Sequence, residues 1–416
     1  MDTFNILSYA QSGFRQGHGC VTASLKVLND IISALDKKQS CAAIFIDLAK
    51  AFDTVDHSIL LDRLRSIGVS EQSLAWFASY LIGRVQRVRS EHFLSESHLV
   101  TKGVPQGSIL GPTLFSIYIN NLALCVKGSS IHLYADDTVL YATGPSPEVV
   151  SNLLQNNFVR LQQAFCTLKL QINTTKTKVL WFDTKGFVPH PHQDIVTLEG
   201  DKIGQVNEYK YLGIWLDNTL SFSTHINKLQ SNVKSKIGYL YRTRSSLSRN
   251  TKLTLVQMTI LPMFDYGDVV YRSACKSLLH KLDVLYHSAI RFAINAPFKT
   301  HHCSLYSAVS WPSLHIRRLS HWYMLIYKTL VGLSPQYLSS LLQYSSSSYN
   351  TRSAHLIMLQ VPKMKTSLGL LAFQAAAAND WNLLQKTLKL DLFISMSDFK
   401  KTIAELLNEK CCCHIA

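Results

Sequence analysis

The sequence predicts an α+β fold, and three observations carry that prediction. Long segments place apolar residues at helical spacing, short β-rich runs stand between them in the first half, and two of those runs end on aspartates. Val21, Leu25, Leu28, Ile32 and Leu35 share one face of a helix over 20–37. The run 41–46 is apolar and short enough for a buried strand, which Asp47 ends. Helices are predicted over 57–67 and 70–81, then strands near 86–89 and 98–101 around a turn. Gly103-Val-Pro-Gln-Gly-Ser-Ile-Leu-Gly-Pro112 is a loop by its glycines and prolines, and Pro112 opens a helix bearing Leu114, Phe115, Tyr118 and Leu122. The runs 131–134 and 138–141 flank Ala135-Asp136-Asp137, a hairpin with carboxylates at its tip. A helix over 147–168 and strands near 179–182 and 209–216 complete a sheet with helices on one face. Beyond Ser221 the pattern is mainly helical, over 226–240, 251–261, 278–293 and 399–407, with a serine-rich linker near 345–348.

The 416 residues suffice for two or three domains, and 47% hydrophobic against 17% charged residues belongs to a packed protein rather than a disordered tail. The net charge of +15 is uneven: residues 1–237 carry 22 basic against 19 acidic side chains, and residues 238–416 carry 20 against 8. The positive field therefore lies in the C-terminal part, where it attracts phosphate backbones in a salt-sensitive way. Nine cysteines without paired spacing fit reduced thiols in a cytosolic or nuclear protein. The run Cys411-Cys-Cys-His414 offers soft metal ligands, but adjacent residues point apart and the loop spacing of a zinc site is missing. No signal peptide or membrane-spanning run is present in the sequence, so a soluble nuclear or cytoplasmic protein, not secreted and without a membrane partner, is expected.

Asp47 and the pair Asp136 and Asp137 meet only through folding. Clustered carboxylates repel one another unless a cation joins them, so their assembly points to a metal. Mg²⁺ suits them, because it takes one or two carboxylates plus substrate phosphates and keeps several waters. Side chains alternate along a strand, which makes Asp136 the direct ligand and Asp137 its support.

The surroundings of these aspartates carry a resemblance. Phe45-Ile-Asp-Leu-Ala-Lys-Ala-Phe-Asp53, the loop from Gly103 to Pro112, and Tyr134-Ala-Asp-Asp-Thr138 resemble, in order, motifs A, B and C of reverse transcriptases. Asn173-Thr-Thr-Lys-Thr177 and Tyr209-Lys-Tyr-Leu-Gly213 resemble motifs D and E, and Gln11-Ser-Gly-Phe-Arg-Gln-Gly17 resembles the fingers motif before A. Val361-Pro-Lys-Met-Lys-Thr and Ala378-Asn-Asp-Trp-Asn look similar to the C-terminal region of non-LTR (LINE-type) retrotransposon proteins. The chain is thus identified as similar to LINE-type reverse transcriptases.

That resemblance implies a right-hand polymerase palm, a ferredoxin-like sheet with helices on one face. It implies partial fingers over 1–40, a palm with fingers insertion and primer-grip hairpin over 41–215, a helical thumb over 216–300, and a mostly helical extension over 301–416. The implied activity is RNA-directed DNA synthesis, with an RNA template, a DNA primer and deoxynucleotides as partners. Two Mg²⁺ ions, with Mn²⁺ as an alternative, would be held by Asp47, Asp136, Asp137 and the Leu48 carbonyl. Phe52 matches the steric gate against a ribose 2′-hydroxyl, provided that the chain turns near residues 49–51 so that the ring faces the site. Arg15, Ala51, Gln106 and Gly107 match nucleotide-binding positions, Lys176 a lysine that assists the leaving pyrophosphate, and Tyr211, Leu212 and Gly213 the primer grip. Lys234, Lys236, Arg242, Arg244, Arg249 and Lys252 lie where a thumb would track the duplex through its phosphates.

Measured against the full pattern, the chain reads as N-terminally truncated: Ser12-Gly13-Phe14-Arg15 follows Met1 too closely for an endonuclease or a first fingers motif. The rival reading is a catalytically inactive relic or domesticated product that binds nucleic acid. A palm-type cyclase is a third, against which the thumb and primer-grip patterns count.

Overall fold

The computed structural model describes residues 6–183, 194–345 and 356–407. The Cys411–His414 run and all but the first serine of the 345–348 linker lie outside them. The chain forms two compact units, one of the residues up to Gly19 together with Lys37–Asn207, the other of Cys20–Asp36 together with the residues from Glu208 onward. Helix α1 (Cys20–Asp36) and residues 208–215 therefore group with the second unit, across the boundaries expected at 40 and 215.

In the first unit, β1 (Ser40–Ile46) leads into α2 (His57–Ser66) and α3 (Glu71–Leu81). Asp56 caps α2 by accepting from the Ser58 and Ile59 N–H groups, and Ser70 caps α3. The strands expected over 86–101 are two short ladders, β2 (Val85–Gln86) on β5 (His98–Leu99) and β3 (Arg89–Ser90) on β4 (Phe93–Leu94). Helix α4 (Gly111–Ile119) carries Pro112 in its first turn, where a missing N–H costs nothing. Strands β6 (Ser130–Tyr134) and β7 (Asp137–Gly144), helix α5 (Pro147–Thr167), and strands β8 (Lys178–Phe182) and β9 (Gly204–Val206) follow.

The sheet order is β6-β7-β1-β8-β9, antiparallel except for the β8–β9 pair. Its first four strands have the ferredoxin-like arrangement, with α4 and α5 as the connecting helices. Alternate residues Ala42, Ile44 and Ile46 of β1 face a core shared with Phe115 and Tyr118 of α4 and with Val150, Leu154, Phe158, Leu161 and Phe165 of α5. This is the α+β palm expected from the sequence.

One expected strand is corrected. Residues 209–216 do not join this sheet as the strand pattern suggested; they form a separate hairpin, as the resemblance implied, β10 (Glu208–Tyr211) with β11 (Ile214–Asp217). Leu212 (φ 44°) and Gly213 (φ 82°) both lie in the left-handed region, which turns the chain back after two residues.

The second unit is helical beyond that hairpin: α6 (Ser223–Arg242), α7 (Arg249–Thr259), α8 (Leu261–Asp265), α9 (Lys276–Ile294), α10 (His302–Val309), α11 (Leu314–Leu330), α12 (Gln336–Ser339), α13 (Phe373–Leu388) and α14 (Met396–Leu406). The C-terminal sequence patterns act as fasteners here. Lys365 and Thr366 donate backbone N–H groups to Asp36 at the end of α1, at 2.7–3.0 Å. Asp380 accepts from Arg272 at 2.8 Å and from Trp322 Nε1 at 2.8 Å, while Trp381 Nε1 donates to Ile357 O at 2.7 Å. Lys252, expected among the phosphate-facing thumb residues, is instead 4% exposed and donates to Asn295 Oδ1 at 2.8 Å. Its place on the inner face of α7 fixes that role, whereas Lys234, Lys236, Arg242, Arg244 and Arg249 are exposed. Among the described residues, no helix is long and apolar enough to cross a membrane.

Candidate active site

The ladder register builds the site. Ile46 pairs with Thr138 across β1 and β7, so Asp47, one residue on, lies beside the β6–β7 turn. Tyr134 pairs with Asp137, leaving Ala135 and Asp136 as the two turn residues, with Ala135 at φ 53°. The loop before β8 clamps Asp47: its N–H donates to Thr177 Oγ1 at 3.2 Å, and its carbonyl accepts from Asn173 N at 2.8 Å. Lys176 Nζ stands 3.8 Å from Asp47 Oδ2, both side chains reaching solvent, so that pair contributes little to stability.

The carboxylates are crowded. Lost hydration, then the nearby Asp47 charge, raises Asp136 above the usual carboxylate range. Lost hydration, followed by repulsion from Asp136 and Asp47, pushes Asp137 up to about 6. Like charges brought together on hard oxygen donors are the donor set that a hard divalent cation fits. The tightest potential ligand groups among the described residues lie elsewhere, with ligand atoms all within 4.8 Å of one another: Asp265, Asp268 and His321, and also His301, His302 and Cys303. In the first, Arg317 Nε holds Asp265 at 3.0 Å and His321 Nδ1 lies 2.6 Å from Asp268, which makes it an ion-pair network.

Lys50 in the left-handed region (φ 50°) and a 3₁₀ turn at Ala51–Asp53 supply the turn that Phe52 needs after β1. The Phe52 ring stacks on Phe115 (centroids 4.3 Å, 26°) and meets the edge of Phe14 at 6.3 Å. The motif B loop is strapped to this turn, Gly103 N donating to Val55 O at 2.7 Å and Val104 N to Phe52 O at 2.9 Å. A Cβ on Gly103 (φ 85°) would lie 2.8 Å from Asp53 O, so only glycine fits. Gln106 Nε2 donates to Asp53 Oδ1 at 2.7 Å, and Gly107 follows, exposed, at φ 77°. Ala51 and Leu48 are buried, Leu48 in a bridge to Ile172. Arg15 Nη1 donates to the Ser8 and Gln11 carbonyls at 2.8 and 2.9 Å, which gives it a loop-shaping role beside the nucleotide-binding role expected of it.

A profile described as "Reverse transcriptase (RNA-dependent DNA polymerase)" matches residues 1–216, the stretch that holds all of these groups. The chain belongs to the reverse transcriptase family. It is 30% identical over 298 residues to a probable RNA-directed DNA polymerase from transposon X-element of Drosophila melanogaster, covering 70% of this chain and 32% of that protein. It is 31% identical over 298 residues to the RNA-directed DNA polymerase from mobile element jockey of Drosophila funebris, covering 69% of this chain and 32% of that protein. These are the non-LTR elements to which the motifs pointed, and the chain spans about a third of the length of these curated relatives. Among solved structures, telomerase from Candida albicans in complex with a telomeric RNA fragment aligns with 77% of this chain and 49% of its own, at 12% identity and a TM-score of 0.37. Reverse transcriptases as a family use divalent metals, in keeping with the donor set here.

Of the residues singled out from sequence, Asp47, Asp136, Asp137, Lys176, Leu48, Ala51, Phe52, Gln106, Gly107 and Arg15 all lie in the first unit, whereas Tyr211, Leu212 and Gly213 belong to the second. Within that second unit, Tyr266 OH donates to Leu212 O at 2.7 Å and its ring packs against Gly213. Sequence reasoning gave no role to Phe14, Gln11, Thr177 or Phe115. The left-handed Phe14, 55% exposed beside Phe52, has no signal in apolar periodicity.

Proposed function

We propose that this chain is an RNA-directed DNA polymerase that extends a primer 3′-hydroxyl with deoxynucleotides on an RNA template, in retrotransposition. What carries the reading is the convergence of Asp47, Asp136 and Asp137 at one end of the β1–β7 pair, with a turn beside them that presents Phe52, inside a reverse transcriptase domain. Asp47 and Asp136, assisted by Asp137 and the Leu48 carbonyl, would hold two Mg²⁺ or Mn²⁺ ions. When bound, such a pair activates the primer hydroxyl and neutralises the departing pyrophosphate.

The protein's own groups do the rest. Phe52, braced by Phe115, fills the space a ribose 2′-hydroxyl would need and so selects deoxynucleotides. Gln106, fixed by Asp53, packs against nucleotide and template, and the backbone at Ala51 and Gly107 lines the same pocket. Lys176, close to Asp47, supplies positive charge for the leaving pyrophosphate, and Arg15 adds charge from the fingers segment. The Tyr211–Gly213 turn steadies the primer end. The exposed Lys234, Lys236 and Arg242 of α6 contact duplex phosphates without reading sequence.

The test is deoxynucleotide incorporation on poly(rA)·oligo(dT), with ribonucleotides as competitors. Wild type extends with deoxynucleotides, and Phe52→Val raises relative ribonucleotide use by roughly ten- to a hundred-fold, the scale of reshaping a steric pocket. A folded wild type that adds no nucleotide overturns the polymerase reading in favour of a nucleic-acid-binding relic, and unchanged selectivity in Phe52→Val overturns the gate.

A further inference from the structure

The fingers segment is tied to the catalytic hairpin. Ser12 N donates to Leu133 O and Leu133 N to Ala10 O, each at 2.8 Å, so residues 10–12 run beside β6, with Gln11 in parallel bridge to Leu133. Gln11 is fully buried, and its Oε1 accepts from Gly13 N at 2.8 Å and from Ala135 N at 3.3 Å. Two N–H partners fix the amide orientation, because the NH₂ end cannot accept them. Nε2 is buried and has no partner. A buried donor without an acceptor is unfavourable, and an apolar side chain of this length would avoid that penalty. What only the amide supplies is its carbonyl oxygen, and that oxygen meets the hairpin turn.

The turn needs such support. Ala135 sits at φ 53°, a conformation that alanine holds only where its surroundings impose it, and it directly precedes Asp136. Gly13 packs on the same atoms, where a Cβ would lie 2.3 Å from Ala135 N. We infer that Gln11 is a positioning residue for the carboxylate hairpin: its Oε1 holds Ala135 in the left-handed turn and so aims Asp136 toward a divalent cation, while Gly13 leaves room for the approach. This rests on the proposed role of Asp136 as a metal ligand.

Gln11→Met keeps the length of the side chain and removes the acceptor. Ser12→Ala removes the buried contact between Ser12 Oγ and His132 Nε2 (2.9 Å) on the same segment and keeps the Gln11 acceptor in place. Mn²⁺ binding to the purified chain, followed by electron paramagnetic resonance, gives the readout, with Asp136→Ala marking the part of the signal that belongs to the site. Gln11→Met weakens the Asp136-dependent affinity by roughly tenfold or more, the scale seen for groups that orient metal ligands, and Ser12→Ala leaves it unchanged while lowering the unfolding temperature. Unchanged affinity in Gln11→Met, or an equal loss in both variants, overturns the inference. Should Gln11→Met not fold, Gln11→Leu, which also removes the acceptor with an apolar side chain, makes the same comparison. A wild type that binds Mn²⁺ yet extends no primer refutes the polymerase reading and leaves this inference to the variants, whereas a wild type without Asp136-dependent Mn²⁺ binding overturns both.

Discussion

Asp36 and the pair Asp136 and Asp137 are the same residue type put to opposite uses. Asp36, 3% exposed at the end of α1, receives N–H groups from Lys365 and Thr366 and the Thr366 hydroxyl. Burial alone would raise its pKa, but those donors hold it below the usual value. At the hairpin tip the balance is reversed: lost hydration and neighbouring carboxylates raise both aspartates, Asp137 to about 6. Asp36, which serves the fold, is satisfied by its neighbours, whereas under the proposed polymerase reading Asp136 and Asp137 stay unsatisfied until a cation arrives.

Substitutions sharpen that contrast. Asp36→Ala leaves three donors around Asp36 without an acceptor and lowers stability by about 3 kcal/mol, measured by urea unfolding at pH 7.5. The depressed pKa means that this contribution is present above the unfolded value near 3.8 and lost as pH falls through the folded value, so the gap between variant and wild type closes in acid. Trp381→Phe, which removes the bond from Nε1 to Ile357 O, costs about 1 kcal/mol by the same assay. Asp137→Asn acts in the opposite direction. Its pKa is raised when folded, so ionisation weakens the metal-free protein as pH rises from the unfolded value toward and beyond about 6. The variant is therefore slightly more stable than wild type at pH 8, by a few tenths of a kcal/mol because the carboxylate, though partly desolvated, still reaches solvent that screens it, and the gain vanishes below pH 4. A stabilising Asp36→Ala, or a destabilising Asp137→Asn, breaks the comparison.

The palm was legible because its signals are local. An apolar run ending at Asp47, a Gly/Pro loop feeding a helix, and two β-rich runs around an acidic turn each fix an element from a few adjacent residues. The turn required to present Phe52 was also readable, since an odd offset along a strand faces the wrong way, and the left-handed Lys50 supplies it. What escaped depends on partners distant in sequence or on backbone that side-chain patterns do not encode. The 209–216 strand broke at Leu212, a non-glycine residue at positive φ. Lys252 looked like a surface cation until Asn295 was placed beside it. Gln11 opened the fingers match without a role of its own until folding brought its carbonyl to Ala135.

The most direct test of the whole account is Mg²⁺-dependent deoxynucleotide incorporation on poly(rA)·oligo(dT), comparing wild type with Asp136→Ala at matched, verified folding. Wild type incorporates deoxynucleotides, and Asp136→Ala lowers that rate by about 10²–10³-fold or more, the scale of removing one electrostatic stabiliser from a catalytic site. Equal incorporation by the two proteins would contradict this, because the hairpin aspartate would then be one more satisfied surface group and not the centre of the chemistry.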